Sequence, residues 1–254
     1  MLKANGPVTD SDGDAKPIDT LSIDRQFCGP PDSANGGYAC GRLAHYIEGP
    51  ATVRLMKPPP LDRPLDVVRM DGQVELRDDG VTIARAWPGG PEISVPPAPE
   101  LGSARLRRAF YVGLDEGIFP TCFVCGAGRE EGDGLRIHAG PDREADRSGR
   151  HVACTWTPHP AFCGADGAVP SSIAWAALDC PSGWAFLSDG DEVALLGEYS
   201  AHIDTPLRCG IEYIVAGWEV AREGRKRLTG SAIYDRDGNP LAWARATWIV
   251  IRDH

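Results

Sequence analysis

Between residues 162 and 187 the chain reads FCGADGAVPSSIAWAALDCPSGWAFL, and this stretch restricts the fold more than any other. After a loop with Gly164 and Gly167, the residues Val169, Ile173, Trp175, Ala176, Ala177, Leu178 and Cys180 leave no solvated face. A helix that is apolar all round is either a membrane span or is wrapped by protein on most sides. A span takes about 20 apolar residues. This segment is too short and too interrupted for that, so a buried central helix is expected, bent or ended by Pro181 near Cys180. One carboxylate, Asp179, lies inside it. A buried Asp needs a partner, a raised pKa or a chemical task.

The remaining material has to supply the wrapping. At 254 residues the chain is one large domain or two ordinary ones, and its 30 glycines and 22 prolines favour turns and strands over a helix bundle. The formal net charge of -10 excludes a general nucleic-acid or anionic-membrane binder but leaves room for a local basic pocket. No run of 18 apolar residues occurs, so no membrane span is expected. Residues 1–17 are polar and lack the apolar core of an export signal; they read as a disordered leader. Eight cysteines without such a signal point to reduced thiols in a cytoplasm. The Ala-, Gly-, Arg-, Asp- and Pro-rich usage suggests a bacterial source.

In chain order, residues 18–27 read as a first strand. A loop at 28–37 then opens a helix whose N-cap is Asn35. Residues 51–56 alternate as a strand, 57–64 break it, and 65–74 and 81–87 form two strands joined by Asp78-Asp79-Gly80. The Pro-rich segment 88–99 has few apolar anchors and reads as a linker. Residues 142–150 read as a charged loop. Strands are expected at 151–156, 195–203, 211–221, 227–234 and 241–251, the last with Ala242, Ala244, Ala246, Trp248 and Val250 on one face.

The two halves share an order of events: a glycine-containing loop, a helix rich in small residues, a strand, a Pro-containing break, then strands joined by Asp/Gly hairpins. In this order, in Asn35-Gly-Gly-Tyr38, in Gly134-Leu-Arg-Ile137 and in Ala177-Leu-Asp-Cys180, most of the chain resembles the hot-dog superfamily in its tandem form, and most of all the acyl-CoA thioesterase-like branch. The resemblance implies an α+β fold of two hot-dog units, residues 18–98 and 99–254, each a long helix wrapped by a curled antiparallel sheet. It implies hydrolysis, or at least binding, of a small-molecule acyl thioester. Coenzyme A would enter as part of the substrate, with no separate cofactor, and tandem chains could pair as a homodimer. The rival expectation is an acyl-CoA- or lipid-binding module without turnover.

Related thioesterases often carry His-Gly-Gly at the helix start and an acid nine positions on. Nine positions before Asp179 stands Pro170-Ser171-Ser172, without the His; nine positions after Asn35-Gly36-Gly37 stands Ala44, without the acid. The resemblance therefore suggests a composite site, with the helix start of one half facing the acid of the other. In it the N–H groups around Gly36 and Gly37 polarise the thioester carbonyl. Asp179 is general base or nucleophile, and Ser182 orients it. Ser171, Ser172, Arg225, Lys226 and Arg227 are the expected substrate contacts, the last three toward phosphates. Asp133 and His138 have the Asp-x4-His spacing of hot-dog hydratases and stand as an alternative catalytic pair, although the Asn-Pro inside that motif is absent. Cys122 and Cys125 could form half a metal site, completed from His138, His159, Cys163 or Cys180. Without a second Cys-x-x-Cys they read as two turn thiols, and no metal is expected.

Overall fold

The computed structural model describes residues 16–116, 119–142, 150–188 and 192–251. Among these, eleven strands form one antiparallel sheet. In chain order the elements are β1 (Asp19–Leu21), α1 (Gly36–Ala44), β2 (Ala51–Leu55), β3 (Leu65–Met70), β4 (Gln73–Asp78), β5 (Val81–Pro88), α2 (Leu101–Arg107) and the single turn α3 (Gly113–Glu116). They continue with β6 (Gly140–Pro141), β7 (His151–Trp156), α4 (Ser171–Leu187), β8 (Val193–Ile203), β9 (Tyr213–Glu223), β10 (Lys226–Tyr234) and β11 (Pro240–Ile251). The strand order is β1-β3-β4-β5-β2-β8-β11-β10-β9-β7-β6. The first five strands thus occupy one side and the last six the other, and they meet where β2 pairs with β8, with Ala51 opposite Ala201 and Arg54 opposite Glu198. That junction buries two strand edges that would otherwise template aggregation.

Both α1 and α4 lie on one face of this sheet and cross each other in antiparallel directions. Gly37 of α1 lies against Asp179 of α4, and Gly41, one turn on, lies against Trp175 and Ser172. A Cβ at Gly37 would sit 2.5 Å from the Asp179 Cβ, and one at Gly41 would sit 2.8 Å from the Trp175 Cβ. The absence of side chains at these two positions is what lets the helix backbones approach so closely. The main core fills the space between these helices and the sheet, and every residue of α4 from Ile173 to Phe186 is buried.

Helix α4 runs through Pro181 rather than ending near Cys180. Pro181 brings no N–H to the helix ladder. Hydroxyls tie neighbouring carbonyls of the helix to their surroundings: Tyr199 Oη bonds to the Trp175 carbonyl at 3.1 Å, Ser231 Oγ to that of Leu178 at 2.6 Å, and Ser182 Oγ to that of Asp179 at 2.7 Å.

Other expectations are corrected. The first strand is limited to β1, and Asp24 then caps a single 3-10 turn through its Oδ1. The segment expected as one strand over 65–74 folds back at Asp71-Gly72, with Gly72 at φ +79°, to form the β3–β4 hairpin. Residues 134–137, part of what carried the resemblance, lie outside the named strands, and Leu135 and Ile137 donate their N–H groups to the carbonyls of Phe123 (2.8 Å) and Val124 (2.9 Å). Residues 89–99 are no free tether. Ile93, Val95 and Ala98 pack with Ala104, Trp218 and Tyr234 on the sheet face opposite α1 and α4, and Tyr234 Oη bonds to the Pro96 carbonyl at 2.9 Å. Cys163 and Cys209 are joined as a disulfide, against the expectation of reduced thiols throughout, while Cys28, Cys40, Cys122, Cys125, Cys154 and Cys180 are free and buried. Most of the leader and the charged loop fall outside the described residues. Among the described residues no helix is long and apolar enough to cross a membrane.

Candidate functional site

Asn35 caps α1 by accepting the Tyr38 N–H on its Oδ1 at 2.9 Å. Its own Nδ2 donates to Asp179 Oδ2 at 2.8 Å, and the Gly37 N–H donates to the same oxygen at 2.9 Å. One carboxylate oxygen is therefore pinned by a side-chain amide and by the positive end of a helix. The other, Oδ1, is buried and has no hydrogen-bond partner among the described residues. The residues expected to meet from the two halves, Asn35, Gly36, Gly37 and Asp179, do stand together.

Asp179 is 2% exposed. Burial pushes its pKa up to about 7, against the pull of the Gly37 N–H and the Asn35 amide. Removing an ionised carboxylate from water costs several kcal/mol, and a hydrogen bond to a charged group returns about 1.5–3 kcal/mol. The nearby Cys122 thiol pushes in the same direction as burial.

Asp179 also forms part of the wall of a cavity of about 250 Å³. Asn35, Gly36 and the loop around Pro30 form one side; Leu55, Met56 and Lys57 at the end of β2 form another. The C-terminal half of α4, through Gly183, Trp184 and Leu187, and the facing ends of β8 and β11, through Leu196 and Trp248, close it. The lining is mostly apolar, with the carboxylate and the start of α1 as its polar end. Gly36, the first residue of α1, lines this space. Lys57 is exposed at the rim.

The other expected residues are placed differently. Ser182 is fully buried; its hydroxyl bonds to the Asp179 carbonyl and accepts Trp248 Nε1 at 3.0 Å, so it supports the helix backbone and does not orient the carboxylate. Ser171 and Ser172 begin α4, at the far end of the crossing from Asp179, and neither lines the cavity. Arg227 is held by Glu192, with Nε to Oε2 at 2.9 Å, and by the Gly224 carbonyl. Arg225 and Lys226 are exposed on the β9–β10 hairpin, outside the lining. Asp133 is exposed and paired with Arg129 at 2.9 Å, whereas His138 is buried and stacked on Tyr111. The two do not form a joint acid–base site. Burial, followed by the nearby Arg108 and Arg136 charges, pulls the His138 pKa down to about 4.

Sequence reasoning missed Lys57, Tyr111, Phe119 and Trp184, which reach the cavity from distant segments. It also missed that Cys180, adjacent to Asp179, meets Cys122 and Cys125. The three sulfurs lie within 4.8 Å of one another, with Cys122 and Cys180 at 3.7 Å. The Cys-x-x-Cys spacing was visible; the third member, some 55 residues away, was only one of several candidates.

No protein-family model matches the chain, and no curated protein matches it. Solved structures do. The chain is similar to the tesB protein of Mycobacterium avium subsp. paratuberculosis, with a TM-score of 0.61, 11% identity, and 92% of each chain covered. It is similar to a putative thioesterase II from Thermobifida fusca YX, with a TM-score of 0.58, 16% identity, and 96% of this chain and 97% of that one covered. It is also similar to a conserved protein of unknown function with a hot-dog fold from Alicyclobacillus acidocaldarius, with a TM-score of 0.58, 11% identity, and 92% and 93% covered. At these identities the likeness establishes the fold, a hot-dog fold over nearly the whole chain.

Proposed function

We propose that this chain is a thioesterase that hydrolyses an acyl thioester such as an acyl-CoA, in a tandem arrangement where two hot-dog units share one composite site. The observation that carries this reading is Asp179 in the wall of an apolar cavity, with Oδ2 pinned by Asn35 and Gly37 and Oδ1 buried without a hydrogen bond to the described residues. Nearly full-length similarity to structures described as thioesterases supports it.

The acyl chain occupies the apolar lining formed by Leu196, Trp184 and Trp248. The thioester carbonyl oxygen lies at the start of α1 and accepts the Gly36 N–H, where the helix dipole stabilises developing negative charge. Asp179 Oδ1 takes a proton from a water as its oxygen adds to the carbonyl carbon. When the tetrahedral intermediate collapses, the C–S bond breaks and the proton passes from Asp179 to the leaving sulfur. Asn35, in place of the usual His, keeps the carboxylate oriented rather than relaying protons. Lys57 at the rim offers a cation to coenzyme A phosphates.

The test is thiol release from a panel of acyl-CoAs by wild type and Asp179→Asn. Turnover in wild type that is lost in the variant supports the hydrolase. Tight acyl-CoA binding with no turnover in either protein would replace it with a non-catalytic acyl-binding module.

A further inference from the structure

We infer that Cys122, Cys125 and Cys180 form a three-thiolate site for a thiophilic divalent cation, zinc foremost, set into the wall of the cavity. The inference goes beyond the hydrolase reading and does not depend on it, since Asp179 is not one of the ligands.

The geometry is that of a coordination sphere. Two thiolates each about 2.3 Å from a zinc ion, at a tetrahedral angle, stand about 3.8 Å apart. Cys122 and Cys180 are separated by 3.7 Å, and all three sulfurs fall within 4.8 Å of one another. All three residues are buried. Magnesium and calcium prefer oxygen ligands, whereas clustered thiolates select zinc and related soft ions.

The turn that presents Cys122 and Cys125 is fixed by its backbone. The Gly126 N–H bonds to the Cys122 carbonyl at 2.9 Å, and a Cβ at 126 would lie 2.5 Å from the carbonyl oxygens of both Pro120 and Cys122. The carbonyls of Phe123 and Val124, between the two cysteines, accept from Leu135 and Ile137, and Tyr111 Oη donates to the Cys125 carbonyl at 2.9 Å. Cys180 arrives on the rigid central helix. The ligands are thus pre-positioned rather than assembled by the ion.

Three protein ligands leave one tetrahedral position. Each of the three cysteines also lines the cavity, so that position opens onto it and takes water or a small ligand, as in zinc sites that keep an exchangeable place.

The experiment uses the full chain, reduced and stripped of metal by a chelator, titrated with Co2+. The expected result is one cobalt per chain, with thiolate-to-cobalt charge-transfer absorption and tetrahedral d–d bands, displaced by Zn2+. Cys180→Ala and Cys125→Ala lose those bands, while Cys154→Ala, which removes a buried thiol of β7 outside the trio, retains them. A variant-free arm maps alkylation of the wild-type thiols by mass spectrometry, where Zn2+ protects these three selectively. Absence of the charge-transfer absorption, its survival in Cys180→Ala with circular dichroism unchanged, or protection of other cysteines instead would overturn the site. Formation of a disulfide within the trio with no cobalt uptake would also overturn it. Thioester turnover and its loss in Asp179→Asn are read separately, so failure of either proposal leaves the other distinguishable.

Discussion

The two ends of the α1–α4 crossing are built on the same plan and end up chemically unlike. Because the helices are antiparallel, the start of each lies near the later part of the other. At one end Asn35 and Gly37 grip Asp179 beside a cavity. At the other, Pro170 makes no side-chain cap to α4, Ser172 packs on Gly41, and the residue nine places after Asn35 is Ala44. Both ends keep the close helix contact; only one keeps an acid. Packing thus preserves the architecture at both ends, while chemistry needs the residue set of one.

The sharpest break of this comparison is Asp179→Asn, which retains the shape and removes the base. Thiol release should fall about 100-fold or more, with acyl-CoA binding by calorimetry retained; unchanged turnover would deprive the Asp179 end of its role. Next, Gly37→Ala and Gly41→Ala insert the same methyl at the two ends. Each should destabilise the fold by about 1–3 kcal/mol in denaturant melts, because both Cβ atoms meet the facing helix under 3 Å. Only Gly37→Ala should also abolish turnover, since it displaces the carboxylate.

A pH effect of intermediate size separates the surroundings of the ends. His138 stacks on Tyr111, which lines the cavity at the Asp179 end. Below about 6.5 the unfolded chain protonates this imidazole, while the fold keeps it neutral until about 4. The stability it contributes is therefore complete above about 6.5 and is lost as pH falls through about 4. Denaturant midpoints across that window should decline in wild type and decline less in His138→Phe. Lys57→Ala should raise the KM for acyl-CoA about two- to fivefold, as expected of an exposed ion contact, with Arg225→Ala smaller. The least effect belongs to Ser172→Ala at the acid-free end, where initial rates should stay within about twofold of wild type.

How much of this was legible varies with how local each determinant is. The buried helix, the Asn35 cap, the last strands and the alternation in β11 follow from short-range periodicity. The strand break at Asp71-Gly72 was less visible, because the flanking residues favour extended structure on both sides. The continuity of α4 through Pro181 was not legible, because a proline reads locally as a helix end and the strands that enclose this helix come later in the chain. Ser182 was assigned to the carboxylate because it is near in sequence, yet one helical turn directs its hydroxyl to the Asp179 carbonyl instead. The Pro-rich 89–99 segment looked free because its three apolar anchors are sparse and their sheet partners Trp218 and Tyr234 lie more than a hundred residues later.

By itself, the order of residues determined that a uniformly apolar helix must be enclosed and that an acid within it needs partners; that an Asn-Gly-Gly helix start could face this acid was an expectation drawn from the resemblance. Periodicity and burial are properties of neighbouring residues, so they can be read along the chain. Only the tertiary structure decided that Asn35 and Gly37 meet Asp179 on a single oxygen, that a cavity reaches them, and that three distant thiols converge alongside. Those outcomes rest on the crossing of two helices and the joining of β2 to β8, and long-range contacts of that kind leave no periodic mark in the sequence.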